Sequence, residues 1–133
     1  MTSIRIRDAA ILLGVSDDTI RRWIAAGVLK PSDDGPVATV DGVQLAALAR
    51  ERAVAPDDGA SVGRSARNRF TGLVTDVRTD AVMAQVTLQC GPFEVTSLMS
   101  ADAVRELDLR PGVVATAVVK ATTVIVETNK ENR

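Results

Sequence analysis

Three arginines, Arg64, Arg67 and Arg69, stand beside Ser65 and Asn68 in the stretch SARNRFTG and its preceding residue. Cations among short polar side chains at a strand entrance suit a phosphate of nucleic acid, a small anion, or only a solvated turn. Two residues further along have anion chemistry of their own. Ser100 opens SADAVREL, where a helix N-terminus offers unpaired N–H groups and a dipole that favours negative charge. Lys120 is the one charged residue between Arg110 and Glu127, in a run of Val, Ala and Thr. A strand of that composition reads as buried on both faces, so a lone ammonium there calls for a partner. Hydroxyls, backbone N–H groups and Lys120 would supply the donors and the compensating charge that a desolvated dianion needs, with Arg64 and Arg69 left to orient the strand entrance or face solvent.

A second set stands near the N-terminus, in SDDTIRRW. Ser16 is a good N-cap, with Asp17 and Asp18 in the favoured first turn. On the helix that follows, Ile20, Trp23 and Ile24 share one face, which leaves Arg22 on the other and Arg21 on its flank. If this helix entered a DNA groove, Thr19 and Arg22 would reach bases or adjacent phosphates, with Arg21 and Ser16 on the backbone.

What the chain lacks is equally informative. It has no histidine and one cysteine, Cys90. That removes a His or multi-Cys metal site, a His-based triad and a disulfide framework, and it fits a reducing compartment. No acid–base pair with a nucleophile can be argued, so no enzyme is expected and the catalytic set is empty. No GxxxxGK motif is present. The apolar run AAILLGV is too short for a membrane span and has no cleavage site, which predicts a cytoplasmic protein without membrane contact. Net charge is −1, so any nucleic-acid footprint must be confined to one face.

The elements that hold these residues change period midway. Up to Ala53 the apolar spacing is helical. It predicts helices over about 7–13, burying Ala9, Leu12 and Leu13, over 17–26, and over 42–52, the last with Val43, Leu45, Ala46, Leu48 and Ala49 available for burial. Two short extended pieces flank Gly35-Pro36 between the second and third. Residues 54–63 lack periodicity and are rich in Pro, Gly, Asp and Ala, as a linker would be. Beyond them the period is two: Val82, Ala84, Val86, Leu88 and Cys90 fall on one face of AVMAQVTLQC. FTGLVTDV, FEVTSLMS, VVATAVVKA and TVIVE are also strand-like, with one helix between the third and fourth strands. The predicted class is α+β in two domains, an α-helical winged helix-turn-helix over 1–53 and a five-stranded OB-like β barrel with one short helix over 64–128, then a tail over 129–133.

RIRDAAILLGVSDDTIRRWIAAGVLKP and DGVQLAALARE resemble the MerR and excisionase-like winged helix-turn-helix family, which implies operator DNA as a partner. The wing here carries Asp33 and Asp34 where that family's is usually basic. SARN, the Pro-Gly of LRPG, and VKAT resemble the molbindin family, the small molybdate-binding modules of the TOBE class. That resemblance implies barrels that associate, with molybdate or tungstate held between subunits. It carries the ligand role onto Ser65, the Ala66 and Arg67 backbone, Ser100, and Lys120 with Ala121. It also implies at least a dimer, a hexamer as in the small molbindins being a further possibility. Two function classes follow: a molybdate- or tungstate-responsive transcriptional regulator, or a storage and homeostasis protein whose first domain serves assembly. Molybdenum enters either only as the oxyanion, and no catalytic cofactor is implied.

Overall fold

The structure, a computed structural model, describes residues 2–32, 35–54 and 68–129. The chain divides into two units, Met1–Val54 and Ala55–Arg133, each built around its own apolar cluster.

In the first unit the order is β1 (Ser3–Arg5), α1 (Ile6–Leu13), α2 (Asp17–Ala25), β2 (Pro31–Ser32), β3 (Thr39–Asp41) and α3 (Gly42–Arg52). α1 stops because Gly14 takes a left-handed conformation, φ 68°, and turns its N–H back onto the carbonyls of Ala10 and Ile11. Two residues later Ser16 accepts the N–H of Thr19 and opens α2. α3 starts the same way, with the Asp41 carboxylate accepting the N–H of Val43. β3 lies between β1 and β2, antiparallel to both. Ile6, Ala9, Ala10, Ile20, Leu29, Val40, Leu45 and Leu48 form the core, with Trp23 and Ile24 packed on it.

Three expectations change here. β1 was not foreseen, since three residues are too few to show a period of two. α1 begins at Ile6, and its buried stripe is Ile6, Ala9 and Ala10, with Leu13 packed beside it; Leu12 is 68% exposed. Adding Ile6 rotates the best-filled face away from Leu12. On α3, Leu45 and Leu48 are buried as the spacing suggested, but Val43 and Ala46 are exposed.

The second unit has β4 (Asn68–Thr79), β5 (Met83–Cys90), β6 (Phe93–Ser100), α4 (Ala101–Glu106) and β7 (Val114–Val119). All neighbours are antiparallel, in the order β6-β5-β4-β7. β4 is the long strand that curls the sheet. Its first half pairs with β7, its second with β5, and the register shifts between Val74 and Asp76, an irregularity of the kind that bends a strand. Gly72 sits where β4 passes close to β5: a Cβ there would stand 2.2 Å from the Gln89 carbonyl oxygen and 2.8 Å from the Cys90 sulfur. Val74, Ala84, Val86, Leu88, Cys90 and Val104 make the core, so the predicted inward face of β5 holds from Ala84 to Cys90. Val82 does not share it. It belongs to a turn in which the Asp80 carboxylate accepts the N–H groups of Val82 and Met83, each at 2.8 Å, and it is 69% exposed.

The expected fifth strand is not found among the described residues. After β7 the chain makes a single 3₁₀ turn, Ala121–Thr123, and TVIVE then joins no sheet. No helix of the described residues is long and apolar enough to cross a membrane.

Candidate functional site

Within the second unit, strand pairing decides which expected donors meet. Ser65, Ala66 and Arg67 lie outside the described residues, but Asn68, which follows them, is placed: it opens β4 opposite Val119, the last residue of β7. Its side-chain amide donates to the Val119 carbonyl at 3.1 Å. The end of SARN is thereby fixed one residue from Lys120.

Lys120 is exposed, at the end of β7 and not inside a doubly buried strand. It caps the 3₁₀ turn, its carbonyl accepting both the N–H and the hydroxyl of Thr123. No ion pair to Lys120 occurs among the described residues. The expectation of a buried ammonium was wrong because β7 ends at Val119 and the turn lifts the next residue into solvent. Ala121, also exposed, begins that turn.

Ser100 is elsewhere. It pairs with Met83, beyond the point where Ala84 faces Thr79, so it stands by the far end of β4 from Asn68. At ~3.3 Å per residue the two ends of this strand are about 36 Å apart along its path. One copy of the chain therefore does not gather Ser100 with Lys120. The Ser100 hydroxyl accepts the N–H of Ala103 at 3.0 Å, which leaves its proton to donate outward. The Ala101 N–H is likewise occupied, by the Val82 carbonyl at 2.8 Å. The first turn of α4 thus offers fewer open donors than an uncapped helix end. Asp102, whose charge opposes an anion here, is paired with Arg105 one turn on.

The first unit presents a separate polar constellation. Ser16, Thr19 and Arg22 lie three residues apart on the outer side of α2 and form one chain of bonds. The Ser16 and Thr19 hydroxyls are 3.0 Å apart, and the Arg22 guanidinium donates to the Thr19 hydroxyl at 2.9 Å. Arg22 is exposed and is aimed by Thr19. Arg21 is exposed as well but stands outside this chain of bonds. The spacing of the motif put Arg22 opposite the apolar face; the hydroxyl relay that orients it was not read from the sequence, and neither was the tie made by Asn68. An i, i+3 pair of hydroxyl and guanidinium was the available signal for the first. Nothing local signalled the second, because Val119 is 51 positions away. Among the described residues no group of three His, Cys, Asp or Glu side chains could hold a metal ion.

Comparison with known proteins bears on the second unit. A family model described as the TOBE domain matches residues 64–126. Molybdenum-pterin-binding protein 2 of Clostridium pasteurianum is 41% identical over 63 residues, which cover 47% of this chain and 93% of that protein. Molybdenum-pterin-binding protein 3 of the same organism is 40% identical with the same coverage. Among solved structures, a molybdate-binding protein from Sporomusa ovata is 33% identical and aligns over 50% of this chain and all of its own, with a TM-score of 0.49. A cytoplasmic molybdate-binding protein, ModG, is 46% identical over 51% of this chain and 49% of its own, with a TM-score of 0.48. A match that spans nearly the whole of these short clostridial relatives, over the segment that begins just before SARN and ends after VKAT, makes the chain a member, through its second unit, of the TOBE-domain family of molbindins.

Proposed function

We propose that the chain is a regulator in which the second unit binds molybdate or tungstate and the first binds operator DNA. The observation that carries the oxyanion half is the pairing of Asn68 with Val119, which sets the end of SARN beside Lys120. The relatives' names support the ligand class: some are called molybdenum-pterin-binding, others molybdate-binding. The donor set favours the bare oxyanion. Hydroxyls, backbone N–H groups and an ammonium suit four oxygens around a tetrahedral centre, and none offers a face for a pterin ring to stack on. Because Ser100 and Lys120 belong to opposite ends of β4, a site using both needs two copies. Binding is then linked to association. The chemistry is recognition, with no bond made or broken, and a cytoplasmic setting suits a sensor of a dissolved anion.

The DNA half rests on the outward Ser16–Thr19–Arg22 relay on the second of two helices joined by a tight turn, the arrangement of a winged helix-turn-helix. Anion binding would fix the spacing of paired heads and so alter operator affinity. Storage or homeostasis is the second reading. It is favoured by Asp17 and Asp18, exposed in the first turn of α2 beside Thr19, and, by sequence, by Asp33 and Asp34 of the expected wing, which lie outside the described residues, since carboxylates repel phosphate.

Calorimetric titration of the full chain with molybdate, tungstate and sulfate tests the first half: saturable heat with the first two supports it, and no heat with any oxyanion removes it. Binding to DNA from upstream of the chain's own coding region, at low salt, tests the second. Oxyanion binding without DNA binding leaves the storage reading.

A further inference from the structure

α2 and α3 are held by different neighbours: α2 packs on α1, and α3 packs on β3. Both reach the core, α2 through Ile20 and α3 through Leu45 and Leu48, but α3 runs a further turn beyond Leu48. From Arg50 to Val54 every residue is exposed, Val54 by 93%. Ala53 leaves the helix in an extended conformation, and among the described residues no backbone cap bond of the kind that closes α1 and α2 closes α3. One side chain ties this turn down. The Arg52 guanidinium lies over the Trp23 ring, 4.7 Å from its centroid. Trp23 is half-buried on α2 and directly follows Arg22.

We propose that Arg52 is a positioning residue, whose stack on Trp23 latches the exit of the first unit to α2, so that a load on the chain after Val54 reaches the Ser16–Thr19–Arg22 relay. This rests on the regulator reading, in which a head that binds DNA must answer to an anion held by the other unit. The contact lies at the surface, where a cation over an aromatic ring biases an equilibrium only about two- to fivefold. It is therefore weak enough to open. The turn that it holds has no apolar anchor, so release costs no core contact. It also stands directly before the stretch of linker composition, residues 54–63, where a pull on the chain is felt first. A guanidinium suits this place because its flat face covers the ring while its N–H groups stay in water.

Trp23 is the single tryptophan of a chain without tyrosine, so its emission reports this one ring. The test compares the full-length wild type with Arg52→Gln and Arg52→Lys. Trp23 emission and affinity for DNA from upstream of the coding region are measured with and without saturating molybdate, and calorimetry on the same samples measures molybdate binding. In the wild type, molybdate is expected to change both emission and DNA affinity. Arg52→Gln uncovers one face of the ring, so its emission should start further to the red and barely respond. The molybdate-induced change in its DNA affinity should shrink by about two- to fivefold, while its molybdate affinity and melting curve stay those of the wild type. Arg52→Lys keeps a cation at the ring and should recover part of both responses. An Arg52→Gln variant that responds like the wild type, or an Arg52→Lys variant no better than Arg52→Gln, overturns the latch and leaves the regulator reading intact. So does a wild type whose DNA affinity answers to molybdate while its emission does not. Absence of molybdate heat or of DNA binding in the wild type counts against the regulator reading itself, and the latch falls with it.

Discussion

The side-chain amide of Asn68 donates to the carbonyl of Val119 at 3.1 Å, across 51 positions of sequence. This bond, with the β4–β7 register around it, brings Asn68, the last residue of SARN, beside the start of VKAT, which is remote in the chain. It is also the reason that Lys120 is the cation to test first.

Lys120→Ala is expected to weaken molybdate binding at least tenfold while leaving thermal unfolding nearly unchanged. A hydrogen bond to a charged group contributes ~1.5–3 kcal/mol, whereas an exposed side chain without an ion pair contributes within about 0.5 kcal/mol to the fold. Calorimetric titration and a melting curve on one preparation check both parts.

Ser100→Ala removes a cap and an anion donor together. The bond from the Ala103 N–H is lost, and the cost to unfolding free energy is expected to be about 1 kcal/mol. Ser100→Thr keeps both functions, so it should recover stability and binding together, measured by denaturant melts and titration.

Gly72→Ala tests the curl of β4. The added methyl would meet the Gln89 carbonyl at 2.2 Å, and backbone has little room to yield. Overpacking of this kind costs ~1–3 kcal/mol, and more when backbone must move. A variant with unchanged stability in urea would show that β4 and β5 can separate there.

The Asp80 turn carries a pH dependence of known sign. Backbone N–H bonds from Met83 and then Val82 hold this carboxylate below its usual range. A depressed folded value means that its contribution is present above the unfolded value and is lost as pH falls through the folded one. Acid titration of unfolding should therefore show a loss below the ordinary aspartate range that is absent in Asp80→Asn.

On α2, Arg22→Ala is expected to weaken operator binding by about tenfold or more, as loss of a base or phosphate contact of ~1–3 kcal/mol would. Thr19→Val should do part of the same damage by freeing the guanidinium from its 2.9 Å bond. Arg21→Ala, a backbone contact, should reduce the salt slope by about one without changing sequence preference. Fluorescence anisotropy over a salt series separates these outcomes.

The sequence was most legible where local chemistry decides structure. Ser16, Asp41 and Ser100 could be read as caps because a short oxygen side chain ahead of an apolar stripe has one good use. Ala84, Val86, Leu88 and Cys90 could be read as an inward face by alternation. It was least legible where long-range pairing decides. Lys120 reads as part of a strand by composition, yet β7 stops one residue earlier, where Lys120 caps a 3₁₀ turn. TVIVE has the composition of a strand, but composition says nothing of which edge a strand will find. Leu12 and Val43 are apolar residues that happen to face out, since amphipathic spacing leaves the edge of a stripe undetermined.

The proposed oxyanion site is made by two copies, with Lys120 from one and Ser100 from the other. The measurement that tests it unfolds Lys120→Ala and Ser100→Ala together in equal amounts, refolds the mixture and titrates molybdate. Each variant alone should bind poorly; in an isologous pair formed at random, about a quarter of the sites regain both native residues, and that fraction should bind with wild-type affinity. A mixture that stays as poor as its components while the wild type binds, or either variant binding like the wild type, would contradict the account.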